Sequence, residues 1–364
     1  MRLWLRSVVL CLAIAGALAM TVQQRPAAAT NVLVVTMDGL RWQEVFGGLS
    51  SDLLTKEGGG VSDGKPAEQR FGGATPEQRR EKLMPFLWTV VAKQGQIFGD
   101  PSRNSVAKVT NNLRFSYPGY NELLSGFADP RIDSNDKVPN PNVTVLEWLN
   151  RQPAYQGKVA AFASWELLSW ILNEPRSGVP SNGHGPPIAS PSDDRQRAIN
   201  DFAADLPPYW GSTRFDAATA AGAIEYLKTR RPRVLYVMLG ETDEWAHGRK
   251  YDLYLDAAWR NDRFVRQLWE TAQSLPEYAN RTALVISTDH GRGDQAKDWT
   301  SHGRDVPVAD RIWIAVMGPG VPGLGVRENA AATQSQIAAT VAALVGEDFT
   351  KAEPKAARPL ELQR

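Results

Sequence analysis

Four histidines occur in this chain of 364 residues, and three of them stand beside Asp or Gly in settings that suit a ligand. Asp289-His290-Gly291 follows the apolar run Ala283–Ile286, Asp243 precedes His247-Gly248 by one helical turn, and His302-Gly303 comes a short loop later. Carboxylate and imidazole groups both bind divalent first-row ions, and Gly keeps space and turning freedom beside them. One such His alone is more often structural; three of four, in register with Asp, point to metal. Asp38-Gly39, after the run Asn31–Met37, adds a third carboxylate, although an Asp there can also cap a helix. Together Asp38, Asp243, Asp289, His247, His290 and His302 are enough for two ions with three protein ligands each and open positions for substrate. Such a pair of ions clamps an in-line displacement at phosphorus. Ser116 offers a nucleophile. Pro118 and Leu123-Leu124 predict a helix opening just after it, so its hydroxyl faces a helix N-terminus, a good place for an anionic oxygen or phosphate. Capping of that helix by Ser116 is the competing reading. The fourth histidine, His184, lies in Asn182-Gly183-His184-Gly185 and reads as a solvated loop residue.

The elements that must position these groups are apolar, β-branched runs: Asn31–Met37, Val159–Phe162, Val234–Leu239, Ala283–Ile286 and Ile312–Met317. Runs of this kind suit central strands buried on both faces. Between them lie helical patterns at Leu83–Val91 with Pro85 in the first turn, around Val145–Leu149, at Phe215–Lys228, at Tyr251–Thr271 and at Ala331–Val345. Strands alternating with helices predict an open, mostly parallel sheet whose C-terminal strand ends deliver functional groups. No internal repeat and no second-domain linker is visible. The sequence therefore predicts one α/β domain over residues 30–364, with polar, Gly-rich or Pro-rich surface excursions near 47–78 and 173–212.

Composition narrows the class. With 43% hydrophobic and 22% charged residues the chain is that of a folded globular protein. A formal charge of +1 gives no support for nucleic-acid or membrane-surface binding. Arg2 and Arg6, the apolar run Ser7–Met20 and the small-residue sites Ala17-Leu18-Ala19 and Ala27-Ala28-Ala29 form a secretory signal over residues 1–29. Its apolar run is short against the span of about 20 residues that crosses a bilayer. The expectation is a periplasmic or secreted protein, cleaved after Ala19 or Ala29 and free of the membrane thereafter. Cys11, the only cysteine, lies in that signal, so the mature chain is expected to have no disulfide, thiolate zinc site or Cys nucleophile. Oligomeric state is not legible.

Taken in order, Val35-Thr36-Met37-Asp38-Gly39-Leu40, Phe115-Ser116-Tyr117-Pro118-Gly119-Tyr120, Asp243-x-x-x-His247-Gly248, Asp289-His290-Gly291 and His302-Gly303 resemble the alkaline phosphatase superfamily, most closely its type I phosphodiesterase/nucleotide pyrophosphatase branch. The resemblance runs from about Val32 to Pro319. It implies an alkaline-phosphatase-like three-layer sandwich. It also implies a nucleophile at Ser116 in a segment running to Ser125-Gly126, and a phosphoseryl intermediate. One ion would be held by Asp38, Asp289 and His290 with Ser116, and the second by Asp243, His247 and His302. Zinc is usual in such enzymes and manganese in the related mutases. Asn135 loosely matches an Asn that holds phosphoryl oxygens in the diesterases.

Departures from the pattern bear on the substrate. Ser replaces the Thr of the diesterase branch, and several monoesterases also use Ser. Some monoesterases carry a Lys-x-Arg pair after a central strand, whereas the comparable Ser164-Trp165-Glu166 has no cation; Arg114 is the substitute on offer. Ser116 is not in a Ser-x-Pro-x-Arg sequence and no Cys replaces it, which disfavours a sulfatase. An export signal disfavours a glycolytic mutase. The expected partner is a small-molecule phosphate ester, with diesters or pyrophosphates ahead of monoesters. A metal-containing binding protein without catalysis is the reading from another class.

Overall fold

A computed structural model describes residues 28–363, so residues 1–27 of the expected signal, Cys11 among them, lie outside the described residues. Eleven strands are present among them: Asn31–Met37 (β1), Gly95–Phe98 (β2), Val106–Lys108 (β3), Val159–Ala163 (β4), Ser181–Asn182 (β5), Val234–Leu239 (β6), Thr282–Ser287 (β7), Arg311–Ile312 (β8), Ile314–Met317 (β9), Gly325–Val326 (β10) and Ala331–Thr333 (β11). Eight form the central sheet in the order β10-β2-β9-β7-β1-β6-β4-β5, and β11-β3-β8 form a small second sheet. Within the central sheet β9 alone runs against the others, pairing antiparallel with both β2 and β7.

Every residue of β1, β6 and β7 is buried, as the continuous apolar runs predict for strands covered on both faces. Successive side chains alternate between two cores. Leu33, Val35 and Met37 face helices Asp216–Arg230 and Tyr251–Gln273, whereas Val32 and Val34 face helices Ser116–Ser125, Val145–Arg151 and Gln336–Leu344. The architecture is the expected α/β three-layer sandwich.

Register sets the site. Thr36 lies opposite Ser287 on β7 and Met37 opposite Leu239 on β6. Carried on past the strand ends, these ladders bring Asp38 beside Asp289 on one side and Gly240 on the other. Three neighbouring parallel strands thus release their next residues at one edge.

Some expected elements differ. Residues 47–78 are not a loop: they contain helices Lys56–Gly59, Lys65–Phe71 and the start of Pro76–Leu83. Thr55 and Thr75 cap two of these by accepting from Gly58 N and Gln78 N, and a buried Phe71 anchors the segment. These cap signals were hidden by the polar, Gly-rich composition around them. The helix expected at Leu83–Val91 instead starts at Pro85, after a break at Met84, and carries a π-helical turn at Leu87–Val91. The run Ile312–Met317 splits at Trp313 between two sheets and is not the last strand. The helix expected at Ala331–Val345 begins only at Gln336, because Ala331–Thr333 pairs in parallel with Val106–Lys108. Tertiary pairing there overrides the helix preference of Ala. Among the described residues no helix is long and apolar enough to cross a membrane.

Asp262, on the buried face of Tyr251–Gln273, accepts from Phe86 N at 2.8 Å and Leu87 N at 2.9 Å, and so ties down the helical turn that follows Pro85. Burial pushes its carboxyl up to about 7. A buried acid raised in this way is fully stabilising below its unfolded pKa and loses that contribution as pH rises through its folded value. Asp262→Ala should therefore cost about 2 kcal/mol at about pH 5, where both backbone donors lose an acceptor. The loss should shrink at about pH 8. Urea unfolding at the two pH values checks this, and an equal loss at both would contradict the sign.

Candidate metal and nucleophile site

Asp38 leaves β1 into a turn at Gly39, whose φ of +57° is left-handed. A Cβ there would lie 2.8 Å from both Arg292 Nε and Asp243 Oδ1, so a side chain would displace the site. Gly39 N donates to Asp289 Oδ1 at 3.1 Å, tying the two strand ends together. Tyr120, one turn along from Ser116, donates its hydroxyl to Asp38 Oδ2 at 2.8 Å. The remaining oxygens, Asp38 Oδ1 and Asp289 Oδ2, are buried and take no hydrogen bond. Both face His290 Nε2, at 3.5 and 3.4 Å. His290 Nδ1–H donates to the Gly291 carbonyl at 2.9 Å, which leaves a lone pair on Nε2.

Asp243 and His247 lie on the short helix Glu241–His247, with His247 Nε2 3.1 Å from Asp243 Oδ2. His302 completes this side. Its Nε2 is 3.0 Å from His247 Nε2 and 3.8 Å from Asp243 Oδ1. His302 Nδ1 donates to the Arg114 carbonyl at 3.2 Å, again turning Nε2 toward the site. The ring of His302 stacks on that of His290, with centroids 4.0 Å apart. Two groups of potential ligand atoms result: Asp38, Asp289 and His290, and Asp243, His290 and His302. Five of the six residues expected from the sequence fall in these groups and His290 belongs to both; His247, expected in the second group, lies outside it but within 3.1 Å of Asp243 and 3.0 Å of His302.

The electrostatics of the site suit a bound cation. Burial, then the neighbouring Asp289, holds the Asp38 carboxyl well above the carboxylate range. Burial raises Asp289 to about 7 and pushes both His290 and His302 down. Orphaned carboxylate oxygens beside unprotonated imidazole nitrogens are the donor set a divalent cation takes, and the ion's own charge would restore the carboxylates to their ionised form. Arg292 supplies part of that charge. It is buried, is bound to Asp243 and the Thr300 carbonyl, and is lowered by burial to about 9.

Ser116 is the first residue of the helix Ser116–Ser125, and Phe115 is its N-cap, without a side-chain cap. The capping reading thus gives way. The Oγ of Ser116 lies 3.4 Å from His290 Nε2 instead. The approach is close because residue 119 is Gly: a Cβ there would lie 2.4 Å from the Asp289 carbonyl oxygen. Before the helix, Asn111 Oδ1 accepts from Leu113 N and Arg114 N, and Arg114 takes a left-handed φ of +54°. Glu122 holds this loop through Thr110 and Asn111.

Ser116, Asp38, Asp243, His247 and His302 line a cavity of about 660 Å³ at the C-terminal edge of the sheet. Asn135 lines it too, and its Oδ1 accepts from Tyr117 N at 3.0 Å. Arg114 does not reach it; its guanidinium donates to the Arg304 carbonyl at 3.0 Å. No residue of 47–78 lines the cavity, whereas Ser212 of the 173–212 excursion does. His184 is exposed, as expected. Sequence reasoning assigned no role to Tyr120, Arg292, Lys137 or Glu166. Tyr120 could have been found from its spacing to Ser116. Lys137 and Glu166 are far apart in the chain and meet only in the fold, 2.9 Å apart at the cavity wall.

The fold and site invite comparison with known proteins. Alkaline phosphatase PafA superposes with a TM-score of 0.56 at 10% identity, over 92% of this chain and 98% of that one. The lipoteichoic acid synthase LtaP from Listeria monocytogenes gives 0.56 at 11% identity, over 88% and 73%. The C-terminal periplasmic domain of EptC from Escherichia coli, solved in complex with Zn, gives 0.53 at 12% identity, over 91% and 86%. At these identities the likeness is one of fold. No curated protein sequence matches the chain. A model of the type I phosphodiesterase / nucleotide pyrophosphatase family matches residues 98–359, which include Ser116, Asp243, His247, Asp289, His290 and His302 and begin after Asp38. The match covers most of the chain, which belongs to this family of hydrolases.

Proposed function

We propose that the protein is an exported two-metal phosphodiesterase that works through Ser116. The observation that carries this is the meeting of Ser116 Oγ, at the cavity, with His290 Nε2, at 3.4 Å, on the residue common to both ligand groups. Asp38, Asp289 and His290 would hold one ion together with Ser116. Asp243, His247 and His302 would hold the second, with zinc as the ion in both. Export is supported by Arg2, Arg6 and the apolar run Ser7–Met20.

Divalent cations in this donor set supply charge neutralisation at the reacting oxygens and acidify bound hydroxyls. The chain's own residues do the rest. Ser116 Oγ forms the bond to phosphorus as the bond to the leaving alcohol breaks, and water then cleaves the phosphoserine ester to return the hydroxyl. The N-terminus of helix Ser116–Ser125 presents its positive dipole end to the phosphoryl group. Asn135 spends its carbonyl oxygen on Tyr117 N and keeps its amide to donate to a phosphoryl oxygen. Tyr120 and Gly39 fix the two carboxylates, so that their unpaired oxygens stay aimed at His290.

The reading is tested with zinc-loaded protein on a matched pair of chromogenic substrates, one diester and one monoester. The diester should turn over faster, and Ser116→Ala should lower its turnover by about a thousandfold or more. A variant that keeps its activity would remove Ser116 from the chemistry. A faster monoester would make the protein a phosphomonoesterase, and no turnover of either with both ions bound would favour a binding role.

Ligand assignment has its own test. Elemental analysis of the parent should find about two zinc per chain, and His247→Ala about one. Asp289→Asn and His290→Ala should lower both zinc content and melting temperature, because ion binding couples to folding. Parental zinc content in all three variants would refute the assignment.

A further inference from the structure

Charge around the catalytic cavity is unevenly spread. Of the described residues that line it, Lys137 is the one lysine or arginine, whereas Asp136, Glu166 and Glu244 add carboxylates beyond the proposed ligands. Arg292 and Arg114, both near the site, do not line the cavity. Arg292 is buried against Asp243 and the Thr300 carbonyl, and Arg114 donates to the Arg304 carbonyl. Lys137 is therefore the side-chain cation on the cavity wall.

That cation is already neutralised. Lys137 Nζ lies 2.9 Å from Glu166 Oε1, with side-chain exposures of 50% and 21%. Glu166 is held in place. It follows the C-terminal end of β4, and its backbone N–H donates to the Ser212 carbonyl at 3.0 Å, next to the Trp165–Thr213 bridge. Lys137 Nζ sits 5.3 Å from the centre of the Trp170 ring. The same pair also lines a second polar cavity of about 460 Å³, with Ser169, Trp170, Glu174 and His184. The ion pair stands where the two cavities meet.

We propose that Lys137 and Glu166 form a specificity-determining pair that selects the charge of the phosphoryl group. A phosphomonoester above about pH 6 carries a second negative charge, and while Glu166 holds Lys137 the described cavity wall offers no uncompensated lysine or arginine to receive it. A diester carries one charge and needs no such partner. Its second substituent has the adjoining cavity to occupy. This rests on the phosphoryl-transfer reading above and extends it to the choice between diester and monoester.

Glu166→Gln keeps the side-chain shape and releases Lys137. The kcat/KM for p-nitrophenyl phosphate should rise about tenfold or more relative to that for its methyl diester. The double variant Glu166→Gln/Lys137→Met should return to the parental ratio. Calorimetric titration of zinc-loaded protein with inorganic phosphate reads the same effect without turnover, and binding should tighten about tenfold in Glu166→Gln but not in the double variant. Lys137→Met, at a half-exposed position where folding is not at risk, leaves Glu166 uncompensated and should weaken phosphate binding about threefold or more. Unchanged phosphate affinity in both single variants overturns the inference, whether or not the parent is a diesterase. Tightening that persists in the double variant overturns the role of Lys137. Tightening as expected in a parent that cleaves neither ester supports the pair and refutes the reaction.

Discussion

Everything at the site depends on burying carboxylates side by side. Asp38 and Asp289 leave adjacent parallel strands at the same level, and each keeps one buried oxygen without a hydrogen bond. An ionised carboxylate in such surroundings is costly unless it is paired or coordinates a metal. The sheet is able to impose this proximity because the ladders beneath it are long and their side chains are buried on both faces. A slip of one residue in β1 would exchange its two hydrophobic faces and be opposed by both cores at once. The strain at the edge is thus set against the packing of the whole sandwich.

Neighbouring groups then divide the labour of direction. Tyr120 takes one oxygen of Asp38 and Gly39 N takes one of Asp289, so each carboxylate is left with a single free donor atom. The carbonyls of Gly291 and Arg114 do the equivalent for His290 and His302, each engaging Nδ1. Backbone atoms serve well here because they are fixed by the chain path and carry no rotamer freedom. Arg292 differs from these groups in carrying charge. Its contact with Asp243 places a cation beside the second ligand group, which moderates the repulsion among the acids.

Much of this was legible in the sequence. The strands β1, β6 and β7 announced themselves as apolar, β-branched runs, and the groups that matter follow them directly, so Asp38, Asp243, Asp289 and His290 could be placed at one sheet edge from pattern alone. His302 and Ser116 came from their motifs. Other features depend on contacts that local pattern does not carry. Ala331–Thr333 reads as helix until Val106–Lys108 lies beside it. Residues 47–78 read as loop because short capped helices leave little periodicity. Ser164-Trp165-Glu166 carries no cation of its own, but the fold lays Lys137, from a loop earlier in the chain, against Glu166.

Arg114 has a consequence that reaches beyond its own conformation. Its left-handed φ of +54° is sparsely populated for a residue with a side chain. The same peptide unit leads into Ser116 and offers the carbonyl that sets the tautomer of His302. Ser116 and His302, the proposed nucleophile and ligand, are therefore tied to one turn. A motion of this turn that withdrew the serine would also release the imidazole, so the two halves of the site would be lost and regained together, as a single cooperative unit.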